Sequence, residues 1–172
     1  KIITALSVFY DSTDPNKFLS DAKKLLSKDG IFLIEFADLA SIIENKMFDT
    51  ICHEHLEYYS SEVITQLCKK NGLRVFDIKS NDINGASKQY FVCHENSNYK
   101  NNKLVLNKVL NYERSLKLTN EKTFKNFIKL INQSRNKLYN LLKKWKKAGK
   151  KIHCYGASTK GNVLLQYFNI DN

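Results

Sequence analysis

The sequence predicts an α/β fold, because strand-like and helix-like runs alternate along its first hundred residues. IFLIEFA, residues 31–37, is a continuous apolar run typical of a central parallel strand. KIITALSVFY, residues 1–10, is a second strand-like run, and residues 18–26 between the two have helical spacing. The full order of strand, helix, strand, helix, strand, strand indicates the second half of an α/β sheet.

Capping and turn residues set the bounds of these elements. Asp14 and Pro15 suit the start of the first helix. Ser60 or Ser61 can cap the next helix, with Glu62 in its first turn. The residues between IFLIEFA and the next helix form a short, less regular segment. Two more strands are expected after that helix, RVFDI and SKQYFVCHE, with the turn NDING between them.

Length and composition limit the class of protein. A chain of 172 residues, 42% hydrophobic with a single proline, has a globular composition and can hold one domain or parts of two. No apolar run approaches the roughly 20 residues that span a bilayer, and there is no signal-peptide pattern, so we expect no membrane partner. The chain opens without Met inside a strand-like run, which leads us to expect a fragment. Its four cysteines lack CxxC spacing, which favours reduced thiols in a cytoplasmic protein.

The net charge of +11 is concentrated in one helical segment. Residues 97–151 carry 16 Lys+Arg against 2 Asp+Glu, whereas residues 1–96 carry 11 against 14. Apolar residues recur at steps of three and four between Phe124 and Trp145, which predicts an amphipathic helix with lysines on its other face. The aromatic residues lie in the apolar stripe, so we favour a solvated basic face and expect no nucleic-acid partner. A basic helical protein that binds nucleic acid or anionic lipid stays as an alternative.

The last twenty residues repeat the α/β pattern in miniature. Residues 151–155 are strand-like, Gly156 to Gly161 bound a turn, and residues 163–168 begin a helix. Such a turn presents backbone N–H groups to an anion, with Lys160 and the Ser158 and Thr159 hydroxyls nearby. It has neither Walker A nor GxGxxG spacing, so an ordinary tight turn is an equal alternative.

The stretch DTICHEHLEYYS, residues 49–60, gathers the chain's most reactive side chains. His53 and His55 are two residues apart, which is not the HExxH spacing of zinc proteases, and there is no third ligand, so we expect no metal in this chain. The stretch precedes a helix, on the side where α/β sheets carry their chemistry. A neutral imidazole oriented there by a carboxylate can act as a general base near pH 7. A structural hydrogen-bonding loop is the equal alternative.

FDTICHEHLEYYSSEVITQL resembles the signature of the S-adenosylmethionine-dependent C-methyltransferases that act on nucleotide-linked deoxy-sugars. Three further segments are similar to the same family in the same order: IITALSVFYDSTDPNKF with KDGIFLIEF, then NDINGAS, then YGASTKGNVLLQYF. Together they span nearly the whole chain.

The resemblance implies three regions. Residues 1–98 would be the second half of a Rossmann-like class I methyltransferase domain, and residues 99–149 a basic helical connector. Residues 150–172 would be the first strand, turn and helix of a second α/β domain that binds the sugar nucleotide. It also implies a zinc-binding N-terminal domain and a glycine-rich cofactor loop, which this sequence does not contain.

The resemblance further implies roles for individual residues. A base removes the acidic hydrogen beside a keto group of the nucleotide-linked keto-deoxy-sugar, and the resulting enolate attacks the methyl of S-adenosylmethionine. His55 resembles the family's base and Glu54 its polar partner. His53, Tyr58 and Tyr59 can donate to the enolate oxygen, although we expect at least one of the two tyrosines to serve in packing instead. The expected substrate contacts are Tyr10, Tyr58, Tyr59, Asn84, Ser87, Ser158 and Lys160.

Three positions differ from better-known members of the family. Those members carry Tyr where Cys52 stands, His where Asp11 stands, and His-Gly-Gly-Ser where Asn84 to Ser87 stand. These differences bear on which sugar is methylated more than on the reaction. Cys52 is either a packed thiol or a substrate contact, and a catalytically inactive, methyltransferase-like binding module is the alternative to an enzyme.

Overall fold

The computed structural model describes residues 1–156 and 158–170, and it has the mixed α/β organisation that the sequence predicts. Its elements in chain order are β1 (Ile2–Leu6), α1 (Pro15–Leu25), β2 (Ile31–Phe36), α2 (Leu39–Asn45), α3 (Ser61–Lys70), β3 (Leu73–Asn81), β4 (Ser87–His94), α4 (Lys103–Ser115), α5 (Glu121–Lys147) and α6 (Thr159–Phe168). Short 3-10 turns lie at Phe9–Asp11, Phe48–Thr50 and Ile83–Gly85.

The four strands form one sheet in the order β1, β2, β4, β3. β1 pairs parallel with β2, and β4 pairs antiparallel with both β2 and β3. Strands β1, β2 and β3 therefore run in the same direction, and β2 is central as predicted, although it is parallel to only one neighbour. The carboxyl ends of these three strands meet at one edge of the sheet, where α/β proteins carry their sites.

Local capping explains where the helices begin. The Asp14 carboxylate accepts a hydrogen bond of 2.9 Å from Lys17 N, with Pro15 in the first turn of α1. Ser60 Oγ likewise accepts a bond of 3.3 Å from Val63 N at the start of α3. Both helix starts are confirmed.

The predicted irregular segment after β2 is wrong, because residues Leu39–Asn45 form the helix α2. Asp38 caps this helix by accepting a hydrogen bond from the Ser41 N–H. Ala40 and Ile42 of the helix itself are buried. A cap and two inward apolar side chains are enough to hold two turns when the rest of the fold covers them.

The main core lies against the sheet and is rich in aromatic rings. Phe9 packs against Tyr59 with ring centroids 5.3 Å apart, and Phe36 packs against Tyr90 at the same distance. A second cluster joins α2, α5 and α6, and its buried members are Ile42, Met47, Phe127, Ile131 and Phe168. The predicted amphipathic α5 is confirmed, but of its apolar stripe only Phe127 and Ile131 are buried, whereas Ile128, Leu141 and Trp145 are exposed.

The strand predicted over residues 151–155 is wrong. These residues form no strand, and their side chains are exposed. A strand needs a neighbour for its backbone hydrogen bonds, and the four-stranded sheet of the described residues does not extend to this segment. The following helix begins at Thr159, four residues earlier than predicted.

The predicted turn from Gly156 to Gly161 includes Ala157, which lies outside the described residues. The three predicted domain boundaries stay predictions.

No helix within the described part of the chain is long and apolar enough to cross a membrane.

Candidate functional site

A cleft of about 410 Å³ opens at the edge where β1, β2 and β3 end. Its wall combines the loop after β1, the residues before α3, the loop after β3 and the first turn of α6. Seven of the residues predicted as site residues line it: Tyr10, Glu54, His55, Tyr58, Asn84, Ser158 and Lys160. The structure thus brings together side chains that are up to 150 positions apart in the sequence.

The imidazole of His55 is oriented by hydrogen bonds at only one of its two nitrogens, Nδ1, among the described residues. Its Nδ1 lies 2.7 Å from the main-chain oxygen of Thr50 and 3.3 Å from Thr50 Oγ1. A carbonyl oxygen can only accept a hydrogen bond, so Nδ1 carries the proton. In the neutral ring Nε2 then has the free lone pair, which is the arrangement that a general base needs.

Tyr10 fixes the loop that carries His55. Its main-chain oxygen accepts hydrogen bonds of 3.2 Å from Leu56 N and 3.1 Å from Glu57 N. Its ring lies edge-on to the imidazole of His55, with centroids 4.4 Å apart. Because main chain and ring act together, the loop after β1 positions the histidine from a second side.

Glu54 has other partners than the imidazole. Cys52 Sγ donates to its carboxylate at 3.7 Å, and Thr159 Oγ1 donates to it at 3.4 Å. A carboxylate is expected from the sequence to orient the histidine, but in the structure Thr50 holds the imidazole instead. Glu54 instead connects the loop before α3 to α6 across the cleft.

Lys160 and Asn84 connect the opposite side of the cleft. Lys160 Nζ donates to the main-chain oxygen of Asn84 at 3.1 Å, and Asn84 Nδ2 donates to Ser7 Oγ at 3.2 Å. Asn84 has φ 56°, a left-handed conformation that asparagine tolerates better than most residues. Ser158 Oγ caps α6 by accepting from Gly161 N at 3.3 Å.

The cleft contains two phenol groups that stay protonated at neutral pH. Burial raises the pKa of Tyr10 and of Tyr58 above the ordinary value. Both hydroxyls can therefore donate a hydrogen bond to an oxygen that becomes negative.

Three predicted site residues lie outside the cleft wall. His53 is 85% exposed, and its Nε2 is 3.9 Å from Glu54. Tyr59 is buried in the core, where its hydroxyl has no partner among the described residues. Ser87 is buried, and its hydroxyl donates to the Ile83 oxygen at 2.9 Å. Their predicted roles stay predictions.

The sequence predicts neither the contact of Thr50 with His55 nor that of Thr159 with Glu54. The main-chain carbonyl of Thr50 makes the shorter contact with His55, and a carbonyl leaves no signal in the residue type. Thr159 approaches Glu54 only because α6 folds back over a separation of 105 residues.

The described residues do not fit the binding of a whole S-adenosylmethionine molecule. β1 and β2 are followed by Ser7 and Ala37, and within residues 1–156 and 158–170 no strand opens into a glycine-rich loop and a helix. Nor does any group of three or more His, Cys, Asp or Glu side chains in these ranges stand ready to hold a metal ion. The cleft's own side chains offer a histidine ring nitrogen that can accept a proton and hydroxyl and ammonium groups that can donate hydrogen bonds.

The fold and the cleft define an α/β protein with a histidine-containing cleft at the carboxyl edge of its sheet. Residues 82–172, more than half of the chain, match the family described as the C-methyltransferase C-terminal domain. The chain belongs to this family of C-methyltransferases. Over 165 residues it is 30% identical to C-methyltransferase NovU of Streptomyces niveus, an alignment that covers 96% of the chain. It spans 39% of that relative's length.

Proposed function

We propose that the complete protein transfers a methyl group from S-adenosylmethionine to a carbon next to a keto group of a nucleotide-linked deoxy-sugar. The observation that carries this proposal is His55, which faces the cleft with Nδ1 bonded to the Thr50 carbonyl and Nε2 free. Membership of a C-methyltransferase family supports the reaction class.

Methylation at carbon explains why a base is needed. A saturated carbon has no lone pair, so it becomes a nucleophile only after it loses a proton, and a neighbouring keto group makes that loss feasible as an enolate. In the proposal His55 Nε2 accepts this proton. A positioned general base contributes about 10²–10⁴-fold to the rate.

The negative charge of the enolate falls on the former keto oxygen. Tyr10 and Tyr58 line the same cleft as His55, and burial keeps both phenols protonated. Either hydroxyl can donate to that oxygen, and a preorganised donor at such a position contributes about 3–4 kcal/mol to catalysis.

The nucleotide part of the substrate is assigned to the α6 side. Lys160 uses one of its three N–H donors on the Asn84 oxygen, which leaves others for a phosphate. The first turn of α6 adds the positive end of the helix dipole. In this proposal residues 1–98 belong to a Rossmann-like class I domain of the complete protein, and α6 begins a domain that binds sugar nucleotide.

Methyl transfer to nucleotide-linked keto-deoxy-sugars by the complete protein tests the proposal. Mass spectrometry of the product should find one added methyl on carbon, and the sugar's α-hydrogen should exchange with deuterated water when the enolate forms. Binding of cofactor and sugar nucleotide without transfer would instead favour an inactive binding module. If the complete protein binds neither the cofactor nor a sugar nucleotide, the proposed function is wrong.

A further inference from the structure

We propose that Thr50 is a positioning residue, whose carbonyl selects the Nδ1–H tautomer of His55, and that α6 holds Thr50 in place through Phe48 and Phe168. The proposal concerns the state of His55 and its control by a distant helix. The effect of the tautomer on catalysis rests on the proposed function, whereas the tautomer itself and its dependence on α6 do not.

The tautomer follows from the partner atoms. At 2.7 Å the contact between His55 Nδ1 and the Thr50 oxygen is a normal hydrogen bond, and only the nitrogen can be its donor. The Thr50 hydroxyl, at 3.3 Å from the same nitrogen, makes the longer contact. The carbonyl therefore sets the tautomer, and the threonine side chain is secondary.

The position of that carbonyl depends on the short 3-10 turn Phe48–Thr50. The turn is closed by hydrogen bonds from Thr50 N to the Met47 oxygen at 3.2 Å and from Ile51 N to the Phe48 oxygen at 3.0 Å. A single turn of this kind has little stability of its own, so its position is set by what packs against it.

The packing comes from the C-terminal helix. Phe168 of α6 is 4% exposed and stacks on Phe48, with ring centroids 5.0 Å apart and an interplanar angle of 13°. Tyr167 contacts the same ring at 5.5 Å. The last turn of α6 thus packs against the 3-10 turn outside the cleft. The first turn of α6 places Thr159 and Lys160 in the cleft wall.

The coupling has a chemical consequence. If the turn moves, Nδ1 loses its acceptor, and a population with the proton on Nε2 appears. Nε2 then has no lone pair to accept the substrate proton. In serine proteases the wrong histidine tautomer lowers kcat by about 10⁴-fold. A partial loss of the Nδ1–H tautomer should therefore lower kcat measurably.

The tautomer can be measured without any turnover. The complete protein, labelled with ¹⁵N at histidine, would be studied in alkaline buffer, where the imidazole ring is neutral, and the His55 signals would be assigned by their loss in His55→Asn. We expect the Nδ1–H pattern in the unmodified protein. Phe168→Ala should raise the Nε2–H population, whereas Phe168→Leu should restore much of the Nδ1–H form because it refills the space.

Two matched variants separate the parts of the proposal. Tyr167→Phe keeps a ring beside Phe48 on the same helix, and Thr50→Ala keeps the carbonyl, so both should retain the Nδ1–H form. In methyl-transfer assays Phe168→Ala should lower kcat by up to about 10²-fold, the loss expected from a misplaced catalytic group. Its KM for S-adenosylmethionine should stay within twofold.

An Nε2–H pattern in the unmodified protein would overturn the proposal, even if Phe168→Ala fails to fold. A folded Phe168→Ala protein with an unchanged Nδ1–H pattern would refute the link to α6, and a changed tautomer in Thr50→Ala would refute the role of the carbonyl. If the tautomer behaves as expected but no methyl transfer occurs, the proposed function fails while this proposal stands.

Discussion

Lys88 Nζ lies 2.5 Å from Oδ2 of Asp38 in the interior of the protein. The same ammonium is 3.2 Å from Oε1 of Glu113, so one lysine on β4 joins the start of α2 to α4. Glu113 in turn accepts from Ser61 N at 2.9 Å and from Glu62 N at 3.2 Å, at the first turn of α3. Lys88 thus links the start of α2 and the helix α4 to the sheet, and Glu113 extends this link to the start of α3.

The two carboxyl groups respond differently to burial. Burial raises the pKa of Asp38, an effect that the nearby Lys88 charge only partly offsets. Burial would also raise the pKa of Glu113, but hydrogen bonds from Ser61 and the Lys88 charge bring it below the ordinary value. Because the pKa of Glu113 is lowered in the folded protein, its carboxylate stabilises the fold at neutral pH and loses that contribution as the solution becomes acidic.

Lys88→Met should be strongly destabilising, because it removes the only cation beside these two carboxyl groups in the described residues. Breaking a buried ion pair from one side costs about 3–5 kcal/mol. Urea unfolding of the complete protein, followed by circular dichroism, should therefore move to a lower midpoint. The exposed Lys70 on α3 provides the control Lys70→Met, which should leave the midpoint almost unchanged. Equal midpoints for the two variants would mean that the buried lysine contributes nothing.

Tyr59→Phe and Tyr90→Phe should shift stability in opposite directions. The buried Tyr59 hydroxyl has no partner among the described residues, so its removal should leave the protein as stable or raise stability by about 1 kcal/mol. The Tyr90 hydroxyl lies 3.0 Å from Ser61 Oγ, and its loss should cost about 1 kcal/mol. Thermal unfolding of both variants checks the sign. A lower Tm for Tyr59→Phe would indicate that this hydroxyl has a partner after all.

Alkaline pH should unfold the protein through its buried tyrosines. Burial raises the pKa of Tyr59 to about 12 and that of Tyr90 well above 10.0. In the unfolded chain both groups lose their protons near pH 10, whereas the folded protein keeps them. The unfolded state then binds fewer protons, so stability is complete below about pH 10 and falls as the pH rises above it. Tyrosinate absorbance should rise together with the loss of secondary structure, and absorbance that rises fully before any unfolding would contradict this.

Two helix starts that depend on neighbouring residues were predictable, whereas the elements and contacts that depend on distant partners were not. Asp14 with Pro15 and Ser60 with Val63 are local caps, and both helices begin where these residues indicate. Residues 151–155 have a strand-like pattern but no neighbouring strand in the described chain, so the pattern alone misled. The Lys88–Asp38–Glu113 group joins residues 50 and 25 positions apart, and no spacing rule reveals it.

The same distinction holds for the cleft. The residues around His55 were predictable as a group, because polar side chains follow a strand and precede a helix there. The partner that orients the imidazole was not, since the Thr50 main chain makes that bond. Tyr59 follows Tyr58 directly, but the two side chains go to opposite environments, one into the core and one to the cleft. The sequence predicts that at least one of the two tyrosines packs in the core, but it does not indicate which one.

Lys160→Ala in the complete protein should raise the KM for the sugar nucleotide by about tenfold and leave cofactor binding alone, as expected for a residue that binds a substrate phosphate. Lys151→Ala is the matched control, because Lys151 is exposed and lies outside the cleft wall. Steady-state kinetics with each substrate varied separately distinguish the two effects. Unchanged sugar-nucleotide kinetics in Lys160→Ala would leave the lysine only its structural bond to Asn84.

His55→Ala and His55→Asn should lower kcat by about 10²-fold or more, because neither side chain can accept the substrate proton. His55 lies on a partly exposed loop, so the melting temperature should change little. Exchange of the sugar's α-hydrogen with deuterated water should disappear with the activity. Glu54→Gln should lose less, since the Glu54 carboxylate bonds to Cys52 and Thr159 rather than to the imidazole.

The matched control is His153→Asn, which changes an exposed histidine outside the cleft and should keep full activity. If the His55 variants keep most of their activity but unfold at a lower temperature, His55 is a structural residue that holds the loop to Thr50. The base would then have to be another group, and Tyr10 and His53 would be the next to replace. Tyr10 contacts His55 and lines the cleft but keeps its proton at neutral pH, whereas His53 has a ring nitrogen that can accept a proton but is 85% exposed outside the cleft wall.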